Sequence, residues 1–318
     1  MSVDSRPTVR QLEYVVAVAT HLSFRRAAAA CGVTQPALST QIATLERTLA
    51  VQVFERDRRA VLITPAGEEV VAQARRALAA VDEVLAVARR RGAPLVGPLR
   101  LGVIPTIAPY LLPPVLPAVR RRFPQLELIL REEQTARLLT ALASGALDCA
   151  LLALPVPGDL TAAVVAHEEF LLAAPRGDAL LRRRGTVRER DLADQQLLLL
   201  EDGHCLRDQA LAVCTAAGAT ENAHLRATSL PTLVQMVAGH LGITLLPAAA
   251  AAVLAPTPSG PVGLAEFAAP APGRTIGLVW RTSSGRLREF RALADELASA
   301  ATEHLGGLRA RRASRRAK

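Results

Sequence analysis

A change of hydropathy pattern near residue 92 constrains the fold more than any other feature of this chain. Before it, apolar residues recur at helical spacing; after it, short apolar runs alternate with helical stretches. Gly92-Ala93-Pro94 and Gly97-Pro98 punctuate the change and read as a linker. A helical N-terminal part is therefore followed by a layered α/β part. At 318 residues the chain can hold two or three domains with ample core. Aromatic residues make up only 3% of it, so that core must be built mostly from Leu, Val, Ala and Ile.

In the N-terminal part, residues 8–20 show helical periodicity. Ser23 caps a second helix, Phe24 to Ala30, which Gly32 ends. Thr34 opens a third, reaching Glu46, with Pro36 tolerated in its first turn. Helix, tight turn, helix is a helix-turn-helix pattern. The third helix carries Gln35, Ser39, Thr40 and Gln41, short polar groups able to reach base edges. Gln35, Pro36, Ser39 and Thr40 are the candidates for groove contact. Residues 54–63 look like a charged turn and strand, a wing whose Arg56, Arg58 and Arg59 would touch phosphate. Thr64-Pro65 then caps a helix to about residue 91. Its stripe of Val70, Val71, Ala74, Leu78, Val81, Leu85 and Val87 suits pairing with a partner helix.

Beyond the linker, strands are expected at Leu99–Ile104, Leu126–Leu130, Cys149–Leu154, Phe170–Ala174, Leu197–Leu200, Gly242–Leu246 and Ile276–Trp280. Helices are expected at Leu111–Arg122, Ala136–Ser144, Leu206–Ala216 and Leu230–Ala238. The alternation implies parallel sheets. No repeat, phosphate-binding loop or dinucleotide fingerprint is present, and no enzymatic activity is expected. The polar N-terminus has no signal-peptide core, and the longest apolar run, Leu245 to Pro256, is too short to span a bilayer. A soluble cytoplasmic protein with no membrane partner is expected. The formal charge is +9, but six of those charges lie between Arg309 and Lys318. Overall basicity is thus a weak argument for nucleic-acid binding. The run reads first as a solvated, disordered tail and second as a phosphate clamp.

Four cysteines, at 31, 149, 205 and 214, lack the paired spacing of a zinc site, and neither metal nor cofactor is expected. Cys31 and Cys149 read as buried structural thiols. Cys205 and Cys214 flank a stretch with helical periodicity that Gly218 would stop. Nine residues of helix rise ~13.5 Å and turn about 900°, putting the two sulfurs on opposite faces. A disulfide needs Cα atoms within roughly 7 Å, so the two could pair only if the helix melted. That is the design of a redox switch.

Several stretches resemble LysR-type transcriptional regulators: Leu22-Ser23-Phe24-Arg25-Arg26-Ala27-Ala28, Val33-Thr34-Gln35-Pro36-Ala37-Leu38-Ser39, Val53-Phe54-Glu55-Arg56 and Leu62-Ile63-Thr64-Pro65-Ala66-Gly67. Glu201-Asp202-Gly203-His204-Cys205-Leu206-Arg207-Asp208-Gln209-Ala210, with Cys214 beyond it, resembles the OxyR-like, hydrogen-peroxide-sensing branch of that family. The resemblance covers about residues 8–300. It implies a winged helix-turn-helix domain (1–64), a linker and dimerisation helix (65–97), and a regulatory domain of two Rossmann-like lobes in the manner of periplasmic binding proteins (98–305). A basic tail (306–318) lies outside it.

The resemblance also implies roles. Cys205 would be the peroxide-reactive thiol and Cys214 its disulfide partner. Thr106, Thr135, His204, Asp208 and Arg274 would form the peroxide pocket, with Arg274, Arg207 or a cationic His204 favouring the thiolate. Partners would be double-stranded promoter DNA, further copies of the chain in a homodimer or homotetramer, RNA polymerase, hydrogen peroxide and a cellular dithiol reductant. The alternative is a regulator triggered by a small ligand between the lobes, with passive cysteines. His240 departs from the family pattern, which has a small residue before Leu241-Gly242. It, His21, His167, His224 and His304 read as structural.

Overall fold

The computed structural model describes residues 6–56, 61–89, 95–182, 186–255, 257 and 259–316. It divides into two compact units, residues 1–92 with 141–147, and 93–140 with 148–318.

In the first unit, α1 (Val9–His21), α2 (Phe24–Ala30) and α3 (Gln35–Leu49) each begin at a hydroxyl cap. Thr8, Ser23 and Thr34 accept from Gln11 N, Arg26 N and Ala37 N, satisfying donors that a helix start leaves orphaned. Strands β1 (Phe54–Arg56) and β2 (Val61–Ile63) pair antiparallel, so the wing is a two-stranded hairpin rather than a turn and one strand. Glu46 Oε1 ties it to α3, accepting from Val53 N at 2.8 Å and Phe54 N at 3.1 Å. Phe24 meets Phe54 edge-on at 6.0 Å in a core that includes Val15, Val18, Leu38, Ile42 and Leu45. Helix α4 (Pro65–Arg89) follows, its Val71 and Ala74 buried in the same core. Thr64 Oγ1 accepts from Gly67 N at 2.9 Å. Any Cβ on Gly67 would lie 2.2 Å from the Val53 carbonyl, so only glycine permits this close approach. Arg58 and Arg59 lie outside the described residues, as do the side chains of Arg56, Leu85 and Val87.

In the second unit, β3 (Gly97–Val103), β4 (Leu126–Glu132) and β5 (Cys149–Leu154) are parallel and are connected through α5 (Ala108–Arg122) and α6 (Thr135–Ala143). Then comes β6 (Leu160–Pro175), sixteen residues long. Its first ten residues run along β11 (Gly273–Arg281), with Val165 bulged out of the pairing, and its last six pair with β9 (Thr244–Pro247) and β10 (Val262–Glu266). One strand thus runs from the first lobe into the second. The second lobe adds α7 (Ala179–Arg182), a 3-10 turn at Glu189–Leu192, β7 (Gln196–Leu200), α8 (Cys205–Ala216), β8 (Thr220–Ala227), α9 (Leu230–Ala238) and α10 (Ala248–Leu254). Strands β7 and β8 are parallel.

Strands β6, β9, β10 and β11 pair antiparallel, correcting the expectation of parallel sheets throughout. A chain that enters and leaves the second lobe along neighbouring strands must traverse them in opposite senses. The basic tail also differs from expectation. Helix α11 (Leu287–Arg316) runs through it without a break. Arg309 pairs with Glu169, and Arg312 Nε donates to Glu266 Oε1 at 2.9 Å. Arg309 and Arg312 thus have carboxylates to meet on β6 and β10, which orders this part of the helix.

Candidate functional site

Cys205 is the first residue of α8, immediately after the β7–α8 turn. Gly203 makes that turn at φ +93°, a conformation glycine alone adopts without strain. His204 is the N-cap residue and gives no side-chain cap, so the amide dipoles of the first turn stay available to an anion. Cys205 is half-buried. Burial pushes its thiol pKa up; Arg274, the Thr135 side chain and the Leu206 amide oppose that, while Asp208 reinforces it. The resting group is therefore mainly thiol at neutral pH, with its thiolate-favouring partners already in position.

Those partners come from separate elements. Thr135 begins α6, and its Oγ1 is buried with no conventional hydrogen bond. Arg274, on β11, is 5% exposed and donates from Nη1 to Thr106 Oγ1 at 2.8 Å and from Nη2 to the Thr106 carbonyl at 2.9 Å. Glu168 on β6 accepts from the other edge of the same guanidinium, at 2.9 Å from Nε and 2.8 Å from Nη2. Thr106 precedes α5 and is buried. The pocket therefore joins β3–α5, α6 and β11 to the start of α8.

Two expectations about charge are corrected. Burial holds the His204 imidazole pKa down despite Glu201, whose Oε1 lies 4.0 Å from Nε2, so at neutral pH the ring is uncharged and adds no cation. Its Nε2 sits 3.4 Å from Gln134 Nε2, an amide that can donate to the neutral ring. Arg207 turns away from the sulfur. Its Nε donates to Asp202 Oδ1 at 2.8 Å and its Nη1 to Glu221 Oε1 at 2.8 Å, and Arg226 completes this network against the same two acids. Asp208 is exposed one turn into α8 and disfavours the thiolate.

Cys214 lies on the same unbroken helix, 1% exposed among the second lobe's core residues. Burial pushes its thiol pKa up to about 12. All four cysteines are free. With α8 intact, the Cys205 and Cys214 Cα atoms are ~13.5 Å apart along the axis. Cys149 is fully buried, as expected, and burial raises its pKa too; Cys31 is only half-buried.

Three residues near the site were given no role from the sequence. Gln134 carries a signal only in its place beside Thr135. Gln209, one turn along α8 from Cys205, leaves its Oε1 buried and without a partner. Glu168 is one of two consecutive glutamates whose opposite fates only the strand pairing distinguishes.

On α3, Gln35, Pro36 and Thr40 are exposed and Ser39 is half-buried, so the candidate base-reading groups share an outward face. Thr40 Oγ1 donates back to the Pro36 carbonyl at 3.0 Å, leaving its lone pairs outward. Gln41 Oε1 instead accepts from Gln11 Nε2 at 3.1 Å, which ties α3 to α1. Among the described residues no helix is long and apolar enough to cross a membrane, and no cluster of three metal-ligating side chains occurs.

Comparison with known proteins matches residues 9–68 to the bacterial regulatory helix-turn-helix protein, lysR family, and residues 92–302 to the LysR substrate binding domain. A probable hydrogen peroxide-inducible genes activator of Streptomyces viridosporus is 48% identical over 298 residues, 93% of this chain and 95% of that protein. A full-length OxyR from Pseudomonas aeruginosa, carrying a cysteine-to-aspartate substitution, aligns with TM-score 0.77 at 35% identity over 92% of this chain and 98% of that one. A Corynebacterium glutamicum OxyR with a cysteine-to-serine substitution, solved with hydrogen peroxide bound, aligns with TM-score 0.65 at 36% identity over 96% and 97%. Helix-turn-helix, wing, long helix and two-lobed α/β domain thus occur in one chain, in the order the family prescribes, and the protein belongs to the OxyR-like members of the LysR family of bacterial transcriptional regulators.

Proposed function

We propose that this regulator senses hydrogen peroxide through Cys205 and converts its oxidation into a change of DNA contact. The carrying observation is a thiol at a helix start, beside Thr135 and the Arg274 that Thr106 holds, with a second free thiol buried nine residues along the same helix. The Cys205 thiolate attacks one peroxide oxygen as the O–O bond breaks. Sulfur is oxidised to sulfenic acid and the second oxygen leaves as hydroxide, taking a proton to become water. The Thr135 hydroxyl beside the sulfur and the Thr106–Arg274 pair supply donors for the two oxygens and for the developing negative charge. His204, neutral, and Asp208 would border the pocket and relay the proton.

Cys214 then attacks the sulfenic sulfur, forming the Cys205–Cys214 disulfide and releasing water. A cellular dithiol reverses this, being oxidised to its own disulfide as both thiols are regenerated. Because α8 holds the two sulfurs apart, disulfide formation must unwind part of it. In a homodimer or homotetramer joined through α4 that change would respace the α3 helices on two-fold promoter DNA and alter contact with RNA polymerase. Gln35, Pro36, Ser39 and Thr40 would meet the major groove, and Arg56, Arg58 and Arg59 the backbone. The surroundings would be the reducing cytoplasm.

The test is peroxide titration of the purified protein with disulfide mapping by mass spectrometry. One equivalent should yield the 205–214 disulfide, and Cys205→Ser should abolish both that product and peroxide-dependent DNA footprint changes. A Cys205→Ser protein that still responds would overturn the proposal. A thermal shift with small metabolites that survives the substitution would favour a ligand-triggered regulator instead.

A further inference from the structure

Glu168 and Arg274 form a buried ion pair, each side chain 1% exposed. They are cross-strand partners in the β6–β11 register, just before β6 passes on to β9. The second carboxylate oxygen, Oε1, accepts from Ala249 N at 2.8 Å, at the start of α10. The guanidinium is thus held from both edges, by Glu168 on one side and by the Thr106 hydroxyl and carbonyl on the other.

We propose that Glu168 is a positioning residue for Cys205: it fixes the Arg274 guanidinium against Thr106 and cancels part of its charge, which limits the pull of that cation on the sulfur. This deepens the peroxide-sensing reading and rests on it. The physical argument is the difference between a bare cation and an ion pair. In a buried setting the field of an isolated guanidinium at the sulfur is strong; a carboxylate bound to that guanidinium opposes it. A fully uncancelled Arg274 would draw Cys205 toward permanent thiolate, exposed to over-oxidation and to other electrophiles. A mobile Arg274 would leave the thiolate unsupported. Glu168 avoids both.

The other charged groups near the pair do not compensate for its loss. Glu168 faces Arg274 from β11, the α10 amide, and His304 from α11, which Arg311 neighbours in turn. The His304 pKa is already held down by burial and Arg311, and losing Glu168 lowers it further, so it stays neutral. Around the sulfur, Thr135, the Leu206 amide and Asp208 are untouched by a change at residue 168.

The experiment is the pH dependence of Cys205 alkylation by iodoacetamide in the full-length reduced protein, followed by peptide mass spectrometry, with the rate of peroxide oxidation measured alongside. Glu168→Gln keeps the shape and removes the charge. The alkylation midpoint should fall by about one pH unit, giving about tenfold more thiolate at neutral pH. Glu168→Asp retains a buried charge for folding but withdraws the carboxylate, and should shift the midpoint the same way by less. In an Arg274→Gln background the Glu168→Gln shift should vanish, since the effect runs through the guanidinium. A purely structural role would lower stability and leave the midpoint in place. An unchanged midpoint in folded Glu168→Asp or Glu168→Gln protein, or a shift that persists without Arg274, overturns the proposal. If alkylation shifts as expected while peroxide fails to oxidise Cys205, the positioning role stands and the peroxide-sensing reading fails.

Discussion

Cys205 carries opposing influences at one atom. Burial favours the thiol, while Arg274, Thr135 and the Leu206 amide favour the thiolate. Because burial wins, the rate of Cys205 oxidation should rise about tenfold per pH unit through the neutral range, levelling only above the raised thiol pKa. Stopped-flow oxidation between pH 6 and about pH 9 would check this; a flat profile would mean the resting sulfur is already ionised. His240 presents a different residue-scale question. It follows Gly239 at the end of α9 with φ +60°, and the Leu241 amide reaches back to the Met236 carbonyl at 3.2 Å. This is the left-handed helix stop that glycine normally fills. The departure from the family pattern noted in the sequence is thus a backbone cost. Exchanging His240 for Gly should stabilise the protein by about 1 kcal/mol, read as a rise of about 2–4 °C in Tm. The sequence marked both residues as unusual, but only the structure supplied the reasons, because φ angles and the direction of a side chain are not encoded by spacing.

Helix α8 must be stable when reduced yet able to unwind. Leu206, Ala210 and Cys214 are buried along one face, and the Arg207–Asp202–Glu221–Arg226 network anchors its first turns to β8 and the preceding turn. Arg207 and Glu221 are largely buried, and the arginine holds the Glu221 carboxyl below its usual pKa. Glu221→Gln should therefore loosen the reduced helix by about 2 kcal/mol, the scale of charge-assisted hydrogen bonds. If unwinding breaks the network, the 205–214 couple should become about 40 mV more negative, measurable in dithiol redox buffers. An unchanged potential would mean the network survives oxidation. The network also predicts acid sensitivity. The depressed Glu221 pKa adds stability above its unfolded value, and that contribution is lost as pH falls through the folded one. The period-3.6 pattern after Cys205 made this helix legible in the sequence, and α9 was expected with its observed bounds. Strands β8 and β10 were not foreseen, since polar or small residues interrupt their apolar runs.

For the molecule as a whole, α11 is the element that most changes the reading. It runs through the basic run, with Arg309 and Arg312 engaged by Glu169 and Glu266. The Arg309 pair is largely exposed and the Arg312 pair more sheltered, so together they contribute about 1 kcal/mol. Replacing both arginines with alanine should lower Tm by about 2–4 °C and leave the salt dependence of DNA binding unchanged. A shallower salt slope would restore the phosphate-clamp reading of the tail. Sequence alone determined what depends on neighbours along the chain: the helix-turn-helix with its hydroxyl caps, the change to α/β layers near residue 92, and a helix separating two cysteines. Those follow from local propensity and hydrophobic period. Tertiary structure decided what depends on strands distant in sequence meeting: the antiparallel crossing of β6 and β11, the pairing of Glu168 with Arg274 behind Cys205, and the carboxylates that order the tail. These contacts join residues from 46 to 140 positions apart only because loop closure and sheet register bring them together.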